Sequence, residues 1–203
     1  MKSGITVTAT GEWRGKPDKG VVRLGASRVH GNAGSALAEV NKAVENLLEV
    51  LNRLGVDKSA IQTSRLGLWP QTDQNGNQVG YRAENTVRVT FDLERQDPDP
   101  IISAGLEALG TGATMHGIEF GIKNTEVGLV EARNAAWDNV RRKAEQLAAL
   151  AGVQLGSPLS IEEASGGAFR YQSGGMDMAE SMPVEPGSVD LSVTIMARFA
   201  LLG

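Results

Sequence analysis

Three methionines close together form the most suggestive group of ligand side chains in the sequence. Met176, Met178 and Met182 lie within seven residues of one another. Thioether sulfur is a soft ligand that suits Cu(I), and flexible methionines also suit adaptable contacts with protein partners. The pattern therefore leaves open a copper site at these three residues, a partner-binding segment, or side chains that pack or are disordered.

Other side chains that could do chemistry are poorly arranged for it. Glu162 and Glu163 are neighbours in a predicted strand, where adjacent side chains point to opposite faces and cannot readily share a proton. His116 stands alone in a strand-like run and His30 at a strand-to-helix junction, where a structural or surface role is more common. No serine lies in a Gly-x-Ser-x-Gly motif, and no glycine-rich segment matches a phosphate or dinucleotide loop. The sequence thus predicts no catalytic residues and no cofactor.

Composition excludes several classes of protein. The 203 residues carry a formal net charge of −4, which argues against general binding of nucleic acid. The absence of cysteine excludes disulfides and thiolate metal sites. No apolar run reaches the roughly 18–20 residues that span a bilayer, and strand-like sequence follows Met1 almost at once. We therefore expect neither a transmembrane segment nor an export signal in this chain.

A long β-hairpin is the clearest element in the sequence. Residues 63–93 form two apolar-patterned arms around a polar tip at 73–77, in which Asn75-Gly76 is a strong turn signal. In the second arm Val87, Val89 and Phe91 alternate with polar residues. This period of two predicts one face on a core and one in water.

Periodicity predicts the remaining elements. Strands are expected at 5–10, 20–29, 61–69, 114–122, 153–163 and 188–202, and a polar turn at 11–18. Helices are expected at 32–54, 98–109 and from 124 or 125 to 151. The apolar face expected for the third helix consists of Val130, Trp137, Val140, Ala144, Leu147 and Ala151. Residues 164–187, rich in Gly, Ser and Met, are expected to form a long flexible loop.

These elements predict an α+β fold, with long helices packed on one face of a mostly antiparallel sheet. We expect a single domain over residues 1–203. Residues 20–93 and 114–202 share the order strand, helix, strand, strand. This echo indicates either a duplicated unit or only a common helix ending.

Four segments in the chain resemble the SIMPL domain family. They are residues 5–11 with 16–18; residues 62–70 with 80–83 and 85–87; residues 131–133 with 136, 143–145 and 147–148; and Pro186-Gly187 before the last strand. The resemblance implies an α+β domain that is common in exported bacterial envelope proteins, among them periplasmic immunogenic antigens and proteins linked to oxidative-stress tolerance. It also implies self-assembly, and it supplies no catalytic residues.

We therefore predict a non-enzymatic scaffold or interaction domain of the bacterial cell envelope that forms homo-oligomers. The resemblance implies a periplasmic or other extracytoplasmic location, with the cytoplasm as the alternative. The second hypothesis is a stress protein that binds copper or another ligand through its Met-rich loop. The three tryptophans, Trp13, Trp69 and Trp137, are candidates for contact surfaces or for the core.

Overall fold

The computed structural model describes residues 4–164, the backbone of 170–171, and residues 187–202. Its strands are β1 (Gly4–Gly15), β2 (Lys19–His30), β3 (Ile61–Thr72), β4 (Gln78–Asp92), β5 (Ala113–Gly121), β6 (Gln154–Ala164), β7 (Arg170–Tyr171) and β8 (Val189–Leu202). Its α-helices are α1 (Ala33–Arg53), α2 (Pro98–Leu109) and α3 (Glu126–Leu150). The chain divides into two compact units: unit 1 holds β1, α3, β6, β7 and β8, and unit 2 holds β2 to β5, α1 and α2.

Unit 2 is an antiparallel sheet with helices on one face. Its strand order is β3-β4-β2-β5, and the predicted hairpin forms its β3–β4 edge. At the hairpin tip, Asp73 Oδ1 accepts hydrogen bonds from the backbone N–H groups of Asn75 and Asn77. The buried core joins β2 and β4 to the apolar faces of α1 and α2. The alternation that predicted the hairpin therefore correctly predicted which face of β4 is buried.

Unit 1 is built around β8, which lies between β1 and β6 in the strand order β1-β8-β6. Short strand β7 also pairs with β8. Helix α3 covers one face, where its buried side chains meet Val193, Ile195, Ala197 and Phe199 of β8. The predicted α+β class, with antiparallel strands and helices on one face, is confirmed in both units.

The two units repeat one arrangement of strands. In each, the first strand pairs with the last, and the last pairs with the middle one: β2-β4-β3 in unit 2 and β1-β8-β6 in unit 1. The predicted repeat of strand, helix, strand and strand is therefore present, but the assignment of its second copy to residues 114–202 was wrong. Strand β5 pairs with β2 in unit 2, and β1 takes the first position in unit 1. The assignment of 1–203 to one domain stays a prediction.

The polar turn predicted at residues 11–18 is wrong at its start. Strand β1 continues to Gly15, with Trp13 paired to Leu191 and Gly15 to Val189. Arg14 holds Asp190 through two hydrogen bonds, of 2.6 and 3.1 Å. Because these partners lie more than 170 residues away in the chain, local sequence did not reveal the pairing.

The buried face of α3 agrees with the predicted one only at Val140 and Ala144. Large residues of the predicted face, Val130 and Leu147, are exposed, whereas small residues four apart are buried. The buried residues are Gly128, Ala132, Ala136, Val140, Ala144 and Ala148. A Cβ added to Gly11 of β1 would overlap the backbone of Ala132 and Ala136. The helix therefore lies on the strand at backbone contact, which only small side chains permit.

We expect Gly11→Ala to destabilise unit 1, because the new methyl group must push α3 away from β1. Overpacking of this kind costs roughly 1–3 kcal/mol, and rigid backbone on both sides puts this site at the upper end. The measurement is the thermal unfolding midpoint by circular dichroism. Gly31→Ala is the matched control, because a Cβ there meets nothing within 4 Å. An unchanged midpoint in Gly11→Ala would refute the close approach.

Candidate functional site

Within the part of the chain that the structure describes, strand β6 is an open edge of unit 1. All but two of its eleven residues are exposed, including Leu159 at 45% and Ile161 at 56%. Pairing with β8 shifts register around Pro158 and is then regular from Ser160↔Arg198 to Ala164↔Thr194. An edge strand carries unpaired backbone groups along its free side. Residues 160–164 of β6 are thus a straight template on which another strand can pair.

The opposite edge of the same sheet is partly covered. From α3, Asn139 Nδ2 donates to the carbonyl oxygen of Thr10 at 2.9 Å, and Lys143 Nζ donates to that of Thr8 at 3.0 Å. These donors occupy acceptors on β1 that another strand would need. Unit 1 therefore presents β6 as its accessible edge.

A groove of about 570 Å³ runs beside the first half of β6. Trp137 from α3 and Phe199 from β8 form an aromatic pair in its lining, with ring centroids 6.0 Å apart. The charged pair Arg141 and Glu145, at 3.3 Å, lines its outer part. The groove is therefore suited to receive an apolar side chain from a segment that pairs with the edge.

Arg133 of α3 forms an ion pair with the C-terminal end of β6. Its Nε and Nη2 donate to the carboxylate of Glu163 at 2.6 and 3.0 Å. These hydrogen bonds, opposed by desolvation and aided by charge attraction, lower the pKa of Glu163. Glu162 lies opposite exposed Met196 and Glu163 opposite buried Ile195, so the two carboxylates face opposite sides, as the strand pattern predicted.

A second candidate surface lies on the helix-free face of unit 2, and we call it the Glu84 pocket. It has a volume of about 280 Å³ and is lined by Arg23, Ser64, Arg65, Glu84, Thr86 and His116. The side chain of Glu84 is only 16% exposed. Arg65 Nη1 lies 3.8 Å and His116 Nε2 3.9 Å from its Oε1, and the histidine adds a positive charge only when it is protonated. These contacts attract the carboxylate without forming short hydrogen bonds.

Charged residues continue beyond the pocket along β2 and β4. Arg23 donates to Glu119 of β5 at 2.7 Å. Arg88 lies directly across from Arg23 in the register of the two strands, and its buried Nε has no hydrogen-bond partner. Like charges placed opposite each other in a sheet repel. This end of the surface consequently favours an added acceptor.

The structure sorts the candidates raised by the sequence. His116 lines the Glu84 pocket. His30 does not line it, and its Nε2 lies 4.0 Å from Glu39 Oε1. Trp69 is exposed on β3, and the Cζ atom of Arg65 lies over its ring, 5.7 Å from the ring centroid. Trp137 lines the groove beside β6. Met176, Met178 and Met182 lie outside the described residues, so the copper hypothesis stays a prediction.

Sequence reasoning did not single out Arg23, Arg65 or Glu84. Each belongs to a different strand, and only the pairing of those strands brings them together. The sequence signal that could have identified these residues is the alternation along each strand, because Arg23 and Glu84 occupy positions that alternate with core residues. Within residues 4–164 and 187–202, no group of three or more His, Asp or Glu side chains is arranged to hold a metal ion. Among the described helices, none has the length and apolar content needed to cross a bilayer.

The family model of SIMPL, a protein of unknown function (DUF541), matches residues 5–199. Among curated relatives, the uncharacterized protein YggE of Edwardsiella ictaluri is 27% identical over 164 residues, which cover 77% of this chain and 66% of the relative. The 26 kDa periplasmic immunogenic protein of Brucella melitensis is 28% identical over 170 residues, covering 79% of this chain and 66% of the relative. The chain thus matches slightly under two thirds of each relative's length.

One solved structure, an unknown protein from Galdieria sulphuraria, aligns with 96% of this chain and 84% of its own. The two are 14% identical and the TM-score is 0.28, so this likeness supports no inference.

We expect the carboxyl group of Glu163 to titrate below its ordinary pKa of 4.5. Because the folded-state pKa is depressed, the bridge to Arg133 contributes stability above the unfolded-state pKa and loses it as the pH falls through the folded-state value. Carboxyl ¹³C NMR titration measures the midpoint. Arg133→Gln should return it to the ordinary range, whereas Arg141→Gln, on the same helix, should not. A wild-type midpoint at or above the ordinary value would contradict the bridge.

Proposed function

The chain belongs to the SIMPL family, and from that premise we propose that it is a non-enzymatic scaffold or interaction domain of the bacterial cell envelope that forms homo-oligomers. The open edge of β6 is the observation that supports this proposal most directly. Such an edge binds another strand through main-chain hydrogen bonds and requires no bond-making chemistry.

The edge has the features that strand addition needs. Residues 160–164 pair with β8 in continuous register, so their free side presents regularly spaced donors and acceptors. Pro158 lacks an N–H group and the register shifts around it, which limits pairing to the second half of the strand. The partner strand is therefore expected beside residues 160–164.

Exposed apolar side chains supply a hydrophobic contribution to such contact. Leu159 and Ile161 lie on the open strand, and covering each would add roughly 1–2 kcal/mol of gross burial energy before the costs of association. The groove at Trp137 and Phe199 gives a neighbouring side chain a place to insert. Backbone pairing at the second half of β6 and apolar contact at the groove beside its first half thus both lie along this strand.

An extracytoplasmic location is supported by the relatives. The Brucella relative is named a periplasmic immunogenic protein, and we extend that location to this chain as part of the proposal. A link to stress tolerance stays a prediction.

Light scattering coupled to size-exclusion chromatography tests the assembly. We expect the wild-type protein to elute at a multiple of its monomer mass, and Ile161→Lys to shift it toward the monomer. A lysine on the open strand places an unpaired charge in the interface while leaving the core of unit 1 untouched. The expected loss of affinity is at least tenfold.

Leu150→Lys is the matched control. Leu150 is 78% exposed on α3 of the same unit, so the substitution adds the same charge away from the edge and should leave the mass unchanged. A wild-type protein that is strictly monomeric at every concentration would remove the proposal. Equal masses for the wild type and Ile161→Lys would show that β6 does not form the interface between copies.

A further inference from the structure

The helix-free face of unit 2 holds a group of charged side chains that the strand-edge proposal does not use. Strands β2 and β4 supply Arg23, Glu84 and Arg88, and β3 and β5 supply Arg65 and Glu119. All are brought to one side of the sheet by the period of two along each strand. At one end of this group Glu84 lacks hydrogen-bond donors, and at the other end Arg23 and Arg88 have too few hydrogen-bond acceptors.

Glu84 lacks donors. A carboxylate can accept about four hydrogen bonds. The Thr86 hydroxyl reaches it at 3.5 Å, and the Arg65 and His116 nitrogens stay at 3.8 and 3.9 Å. With the side chain 16% exposed, solvent supplies only part of what is missing. A donor group placed in the adjoining cavity would therefore be bound favourably.

The neighbouring end of the face lacks acceptors. Arg23 and Arg88 oppose each other across β2 and β4, and Glu119 engages Arg23 through one of its nitrogens. The Nε of Arg88 is buried without a hydrogen-bond partner. Of the two, Arg23 lines the cavity, and a carboxylate bound there would receive charge-assisted hydrogen bonds from Arg23 and lessen its repulsion of Arg88.

Charge alone selects the kind of ligand. Three guanidinium groups face two carboxylates on this surface, so a simple cation is disfavoured. A simple anion leaves Glu84 without donors and is repelled by it. A molecule with an ammonium group at one end and a carboxylate at the other satisfies both sites.

We propose that the Glu84 pocket binds a small zwitterion of amino-acid or dipeptide type, with its ammonium group at Glu84 and its carboxylate at Arg23. The volume of about 280 Å³ suits such a ligand and is too small for a folded partner. Thr86 also lines the cavity, and its hydroxyl lies 3.5 Å from Glu84 Oε1.

Isothermal titration calorimetry tests the proposal on the full chain. The ligands are alanine, alanyl-alanine, N-acetyl-alanyl-alanine, which lacks the ammonium group, and alanyl-alanine amide, which lacks the carboxylate. We expect at least one free zwitterion to bind, and the two blocked forms to bind at least tenfold more weakly.

Two substitutions identify the ends of the site. Glu84→Gln should abolish the preference for a free ammonium group, and Arg23→Gln the preference for a free carboxylate. Glu45→Gln, at an exposed position on α1, makes the same chemical change and should bind like the wild type. Circular dichroism melts confirm that each variant is folded.

Each other outcome overturns the inference. Absence of binding for both zwitterions up to about 10 mM, equal binding of the N-acetylated and free dipeptides, or unchanged preferences in both folded variants would do so. Equal binding of the acetylated form would identify a plain anion site. None of these results depends on the oligomeric state, so the strand-edge proposal is tested separately.

Discussion

The backbone contact between α3 and β1 determines the shape of unit 1. Gly11 removes the side chain that would hold the helix away, and Ala132 and Ala136 present almost none of their own. Side chains four residues apart form one of the ridges along which helices pack, and here that ridge is built almost entirely of small residues. The helix therefore lies close to the strand, and its Asn139 and Lys143 reach β1 carbonyl oxygens.

This close approach also explains why β6 is exposed. A helix that lies against β1 and the buried face of β8 is too narrow to cover a third strand. Arg133 extends to β6, where it binds Glu163 near the strand's end. The covered edge and the open edge of the sheet thus follow from one contact. In unit 2, larger side chains such as Leu47 and Leu51 fill the helix–sheet interface, and α2 joins the same core.

The sequence predicted the elements better than it predicted their faces. Alternation located β4 and β8, because an exposed and a buried side leave an unambiguous period of two. The buried face of α3 was predicted only in part, because a search for large apolar residues selects Val130 and Leu147 rather than a stripe of alanine. The extension of β1 through Trp13 was missed because its partner strand lies near the other end of the chain.

The residues that resemble SIMPL domains gain a physical explanation in this contact. Gly11 ends the first matching segment, and Ala132, Arg133 and Ala136 belong to the third. The structure places Gly11 against the two alanines and uses Arg133 to hold β6. These residues of the two segments are therefore explained by the packing of a helix on a strand.

The Glu84 pocket depends on the same alternation that forms the core of unit 2. Along β4, Val87 and Val89 enter the core while Glu84, Thr86 and Arg88 face the other side. Gly67 lies directly across from Glu84 on β3, and a Cβ there would strike the ring of Trp69. The aromatic ring thus lies over the glycine and holds Arg65 beside the carboxylate. A slip of one residue in pairing would turn these charges into the core, so the burial that fixes the register also fixes the geometry of the pocket.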